Sequence, residues 1–410
     1  MFFKNLSNKY NLTQILLLVI ALLIPMEKTT MRIAIVFVSL VCILKGDFKV
    51  LFKRTSWIKL IPTVLWVLPF LQLFFLNKLN VHWGHLETKL SLLILPIVIV
   101  LGIKLKEDFI YEIIRVFIIG CCFSIVICLI NSSYNFIVFK NSNYFFYKKL
   151  SFLHHPSYYS MYLNLAIGFL YLNIISTSPK IEIDKNWSWR LIISFTIFVI
   201  LVSSRTGWMT NIIINSLFII ILMKIKFFKS KHLIVGFGIL LALGGLVNSS
   251  TSIKNRFNEI IKYTLYAKEQ SNYPSSTNTR IKAWESATEL VREKWILGLG
   301  TGESKIELNK IYELKGYDQL KDKNINTHNQ FLQYLLDHGL IGFIFLIFFT
   351  IILLIFSLRD KNYMYALFIF IMMINFMTEA ILETQSGIVF FALFNTLFFF
   401  NWIDRKRAFH

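Results

Sequence analysis

Residues 326–349 read N-T-H-N-Q-F-L-Q-Y-L-L-D-H-G-L-I-G-F-I-F-L-I-F-F. This stretch opens in polar residues, carries a His-Asn pair, and then becomes compatible with lipid. In its first half Phe331, Leu335 and His338 recur at helical spacing opposite Gln333 and Asp337, the pattern of an amphipathic helix. Its second half contains only apolar residues and glycine. The reading is a membrane helix that holds a polar pair where it meets water. Residues 248–327, just before it, form the longest non-apolar segment of the chain.

The rest of the sequence agrees with that reading. Of 410 residues, 56% are apolar, 16% are charged and 40 are Phe, with a positive mean hydropathy. Near-continuous apolar runs at 15–24, 192–202 and 340–356 are what a bilayer demands. The fold class is therefore an all-α polytopic membrane protein. A net charge of +20 raises the question of nucleic acid, but the basic residues fall in short clusters between apolar runs rather than on one soluble face. Membrane lipid is the expected partner and nucleic acid is not. Cys42, Cys121, Cys122 and Cys128 lie in apolar segments without metal-ligand spacing. The first apolar run follows lysines but precedes no small-x-small cleavage site, so it reads as a first membrane helix.

Twelve apolar windows occur near 12–26, 31–44, 57–76, 90–103, 110–130, 157–175, 190–203, 206–223, 233–248, 336–356, 363–382 and 386–402. Those at 31–44 and 90–103 are short and need flanking residues to cross. Counting Lys and Arg in alternate short connections gives 21 on one side and 8 on the other. The richer side is expected to be cytoplasmic, which places both termini inside. The domain reading is 1–248 for spans one to nine, 249–328 for a partly helical periplasmic loop, and 329–410 for spans ten to twelve. Within the loop, 252–267 has helical character. Asn278-Thr279 resembles an N-cap before Arg280, Ile281, Trp284, Ala287 and Val291, which share a helical face.

Several residues carry chemistry, each with a structural alternative. Arg205 interrupts two apolar runs among Ser203, Ser204, Thr206 and Gly207; it is either a site residue or a cation snorkelling to lipid phosphate. Arg280, placed in the first turn of a helix, makes sense beside a bound phosphate, or else as a solvated loop residue. His328 can accept a proton near neutral pH with Asn329 beside it, or simply cap the helix. His155, in His154-His155-Pro156, is a turn residue or a substrate contact. Glu379 and Glu383, four apart, are expected on one helix face, where they bind a sugar hydroxyl or pair with arginine. Gly298, Gly300 and Gly302 lack the Lys-Ser/Thr ending of a nucleotide loop. Neither a metal cluster nor a serine-hydrolase elbow is legible.

The elements S-S-R-T-G-W at 203–208, T-R-I-K-A-W at 279–284, G-L-G-T-G at 298–302 and H-N-Q-F-L-Q-Y-L-L-D-H-G-L-I-G at 328–342 together resemble the O-antigen ligase family. The resemblance implies a GT-C-like membrane glycosyltransferase with no metal and no cofactor, in the bacterial inner membrane. It implies an undecaprenyl-diphosphate-linked glycan as donor and a lipid A-core or other glycan acceptor at the periplasmic face. It implies that Arg205 and Arg280 engage the diphosphate and that His328 is the essential histidine. An O-antigen polymerase and a protein O-oligosaccharyltransferase share this chemistry. A transporter or flippase is the reading from a different class, although no duplicated halves are evident.

Overall fold

The computed structural model describes residues 9–76, 78–103, 107–176, 181–225 and 276–408. Among these, every regular element is a helix. In chain order they are α1 (Leu12–Leu23), α2 (Lys28–Lys45), α3 (Arg54–Lys59), α4 (Val64–Phe75), α5 (Leu79–Thr88) and α6 (Ser91–Gly102). They continue with α7 (Glu107–Phe139), α8 (Tyr147–Leu150), α9 (Pro156–Ile175), α10 (Lys185–Val202) and α11 (Arg205–Lys224). The last are α12 (Ser276–Lys294), α13 (Glu303–Leu314), α14 (Asp318–Asp322), α15 (Gln330–Arg359), α16 (Tyr363–Phe376) and α17 (Gln385–Ala408).

Six helices, α7, α9, α10, α11, α15 and α17, are long and apolar enough to cross a membrane. This is the architecture of a polytopic membrane protein. The window at 90–103 does draw on flanking residues: α5 and α6 together pass the same test as one path bent by 42°. The windows at 12–26, 57–76 and 363–382 hold helices of 12, 12 and 14 residues. Those are shorter than the roughly 20 residues of a straight span. In the second of them Pro62 starts a separate 3-10 turn and Pro69 sits within α4. The window at 233–248 and the helix expected at 252–267 lie outside the described residues.

The chain divides into two compact units. The first comprises residues 1–24, 28–113 and 272–410; the second comprises 25–27 and 114–271. At the centre of the first unit α17 is buried almost throughout. Its Phe390, Phe391, Phe394 and Phe398 surround Phe368 of α16 at 5.9–6.0 Å between ring centroids. The buried Tyr365 hydroxyl donates to Asn395 Oδ1 at 2.9 Å, so this contact is satisfied without water.

α12, α13 and α14 build a small core of their own from Ala283, Ala287, Leu290, Leu308, Tyr312 and Leu320, closed by Leu336 of α15. The buried stripe of α12 is therefore 283–287–290. Of the expected stripe through Arg280, Ile281, Trp284, Ala287 and Val291, Ala287 lies in this core and Val291 packs against it, while Trp284 is 36% exposed on the flank.

In the second unit α9 is buried on nearly all sides. Gly207 on α11 lets that helix approach α9 so closely that a Cβ there would collide with Ser160. Above this contact runs a chain of buried amides. Asn164 donates to the Gly207 carbonyl, Asn211 to Asn164 Oδ1, Asn215 to Asn211 Oδ1, and Tyr171 to Asn215 Oδ1. Small residues at the contact and amides bonded across it are how membrane helices associate without a hydrophobic driving force.

Candidate functional site: a histidine, a carboxylate and an arginine at the mouth of a broken helix

The turn at 326–329 is held from several sides. Asn326 Oδ1 accepts from the His328 amide at 3.0 Å, and Thr327 Oγ1 donates to the Asn329 carbonyl at 2.9 Å. Trp284 Nε1 reaches across from α12 to the Thr327 carbonyl at 2.6 Å. Asn329 then caps α15, its side chain accepting from the Leu332 amide at 3.0 Å. Between these anchors His328 adopts φ +46°, the left-handed region that non-glycine residues enter only when their surroundings hold them there. The helix-capping role considered for His328 belongs to Asn329. That frees the imidazole.

The imidazole meets Glu379. Nδ1 lies 2.9 Å from Glu379 Oε2, while Arg280 donates to Oε1 of the same carboxylate at 2.8 Å. Glu379 is 4% exposed, with His328 and Arg280 partly open to solvent. These three residues of the first unit form one cluster. Two sequence expectations are corrected here. Arg280 lies in the second turn of α12, because the helix begins at Ser276, so the unpaired amides of a first turn are not beside it. Glu379 and Glu383 do not share a helix face, because α16 ends at Phe376 and the chain turns before the 3-10 segment Ile381–Glu383.

Glu383 has a partner of its own. Lys89, 1% exposed, donates to it at 2.6 Å, a buried ion pair that sequence reading passed over because Lys89 counts there as one more loop cation. Its only signal is a lone lysine immediately before an apolar run. Gln330 Oε1 accepts from the Leu382 amide and fastens the same turn to α15. The segment that carries Glu379 is thus pinned at both Gln330 and Lys89.

Below this turn α15 breaks at Gly339, with φ 62° and ψ −162°. The break frees backbone groups in the middle of a membrane helix, where each would cost roughly several kcal/mol unpaired. The G-L-G-T-G segment takes them up. Leu299 and Gly300 amides donate to the Leu336 and Asp337 carbonyls at 2.9 and 2.8 Å, and the Leu340 amide donates to Trp295 at 2.7 Å. Gln72 of α4 adds its amide to the Leu297 and Asp337 carbonyls and pairs with His338. A Cβ on Gly298 or Gly339 would strike the other segment's backbone. These glycines serve close backbone docking. Gln333 and Asp337, read as the polar outer face of an amphipathic helix, instead turn inward and bond to each other, and Gln333 also bonds to Ser304.

At the start of α13, Glu303 accepts from His82 Nε2 at 2.9 Å and from Lys78 at 3.0 Å. The His82 hydrogen bond, with Lys78 behind it, holds this carboxyl below the usual carboxylate range. It ties the outer helices to α5.

In the second unit the S-S-R-T-G-W segment is a two-residue helix-to-helix turn. Ser203 ends α10 in the left-handed region, and Ser204 caps α11 by accepting from the Gly207 amide at 3.2 Å. Arg205 is the first residue of α11 and is partly buried. His155 caps α9 through Ser157, with Pro156 opening the helix, which is the turn role.

Residues 190–347 match the O-antigen ligase family. A Haemophilus influenzae protein described as uncharacterized is 25% identical over 224 residues, covering 48% of this chain. The alignment spans 51% of that relative, about half its length.

Proposed function

We propose, from the match of residues 190–347 to the O-antigen ligase family, that the chain is a membrane glycosyltransferase. In this reading it moves a glycan from an undecaprenyl-diphosphate carrier to a hydroxyl of a lipid A-core or other glycan acceptor, at the periplasmic face of the inner membrane. The observation that carries the reading is the cluster of His328, Glu379 and Arg280 at the mouth of α15.

The chemistry follows from those groups. The bond between the anomeric carbon and the diphosphate oxygen breaks, and its electron pair leaves with the polyprenyl diphosphate. Arg280 spends one N–H on Glu379, and a guanidinium has five, so donors remain for the charge that develops on the leaving group. The acceptor oxygen bonds to the anomeric carbon, and its proton passes to His328. The diphosphate already activates the donor, so neither metal nor cofactor takes part in this proposal. Arg205 is proposed as a diphosphate-binding residue on the S-S-R-T-G-W resemblance, Asn329 as a substrate neighbour, and Glu383 as a structural partner of Lys89. His155 is proposed as a substrate neighbour beside its capping role.

The same chemistry serves a ligase, a polymerase and a protein transferase, and the surface polysaccharide of a deletion strain separates them. Lipid-linked chains that accumulate unligated support the ligase reading. Surface chains shortened to single repeats point to a polymerase, and an unchanged polysaccharide with missing glycoproteins points to a protein transferase.

A further inference from the structure

Resting on the reading of His328 as the proton acceptor, we propose that Glu379 is the positioning residue of the transfer, setting the tautomer of His328 and tying it to Arg280. An ionised carboxylate only accepts hydrogen bonds, so its contact at 2.9 Å places the proton of a neutral imidazole on Nδ1. Nε2 is then the nitrogen with a lone pair, the atom that can receive a hydroxyl proton. The same carboxylate holds Arg280 at 2.8 Å through its other oxygen. One buried group therefore fixes the spacing between the proton acceptor and the cation assigned to the leaving group.

Three further observations support a positioning role over simple charge neutralisation. Glu379 does not hang from a flexible loop: its amide donates to Asn375 at 2.9 Å, and the following turn is fastened by Gln330 and the Lys89–Glu383 pair. The histidine is presented to it on a strained left-handed backbone, which a passive ion pair with Arg280 does not need. Arg280 from α12 and Glu379 from the turn after α16 both reach this junction, so the carboxylate joins the imidazole and the guanidinium directly.

The test is Glu379→Gln, with Glu379→Asp as its conservative companion, in the purified full chain acting on a polyprenyl-diphosphate-linked glycan. A glutamine that keeps its oxygen on Arg280 turns an N–H toward Nδ1, which forces the proton onto Nε2 and removes the acceptor. We expect kcat to fall by about 10²–10⁴-fold with little change in donor KM. Glu379→Asp should recover part of the rate. A higher donor KM with kcat intact would show that Glu379 acts only through Arg280 and overturn the proposal. So would full activity in Glu379→Gln when His328→Ala is inactive. Normal turnover in His328→Ala would instead remove the transfer reading on which this proposal stands.

Discussion

At the scale of single residues, the cluster depends on contacts that join distant parts of the chain. Glu379 lies 99 positions from Arg280 and 51 from His328, so no local spacing reveals the pairing. Arg280→Lys keeps the charge but loses the planar fork, and a lysine cannot hold Glu379 and a diphosphate in the same plane. We expect donor KM to rise by about tenfold or more, with a smaller change in kcat. Unchanged donor KM at limiting donor would remove Arg280 from diphosphate recognition. His328 was legible in the sequence because it sits in a motif beside a change from polar to apolar composition, and Arg280 because it stands near the start of a predicted helix. Glu379 was legible as a candidate that pairs with arginine, and it pairs with Arg280, but its contact with His328 was not legible. The helix face it was expected to share with Glu383 assumed a helix that in fact stops at Phe376.

At the scale of elements, α15 is a helix broken by design at Gly339 and completed by the segment after α12. Periodicity cannot see such a break, because the apolar pattern continues across it. The glycines at 298, 300, 302 and 339 were visible, but their meaning required the two segments to meet. Gly339→Ala should destabilise the protein by about 1–3 kcal/mol or more, since its backbone region is essentially reserved for glycine and its Cβ meets the Ile296 carbonyl. A lower Tm is expected, with faster exchange of the Leu299, Gly300 and Leu340 amides; an unchanged exchange pattern would contradict the docking account. Acid should loosen the outer helices as well. The folded pKa of Glu303 is depressed, so its contribution is present above the ordinary carboxylate value of about 4 and is lost as pH falls through the lower folded value. Protease cleavage near α13 should therefore increase below about pH 4 in the wild type. In Glu303→Gln that acid dependence should be much reduced. A pH-dependence equal in both proteins would assign the acid effect elsewhere.

At the scale of the whole molecule, the membrane character was the most legible feature, because it rests on composition and run length. The apolar windows outside 233–248 all fall on described helices. Their lengths were less legible, since prolines at 62 and 69 and the bend between α5 and α6 depend on how neighbours fill a kinked path. The expected orientation rests on the basic asymmetry alone. Reporter fusions after residues 316 and 361 should report opposite sides, with 361 cytoplasmic; a cytoplasmic signal at 316 would move the candidate site to the wrong face. The central claim is that this chain transfers a glycan and that His328 takes part in the transfer. Its most direct test is turnover of a polyprenyl-diphosphate-linked glycan by the purified full chain and by His328→Ala, with donor binding measured in parallel. The account predicts product from the wild type and loss of nearly all turnover in the variant, with donor binding retained. Equal turnover by the two proteins would contradict it.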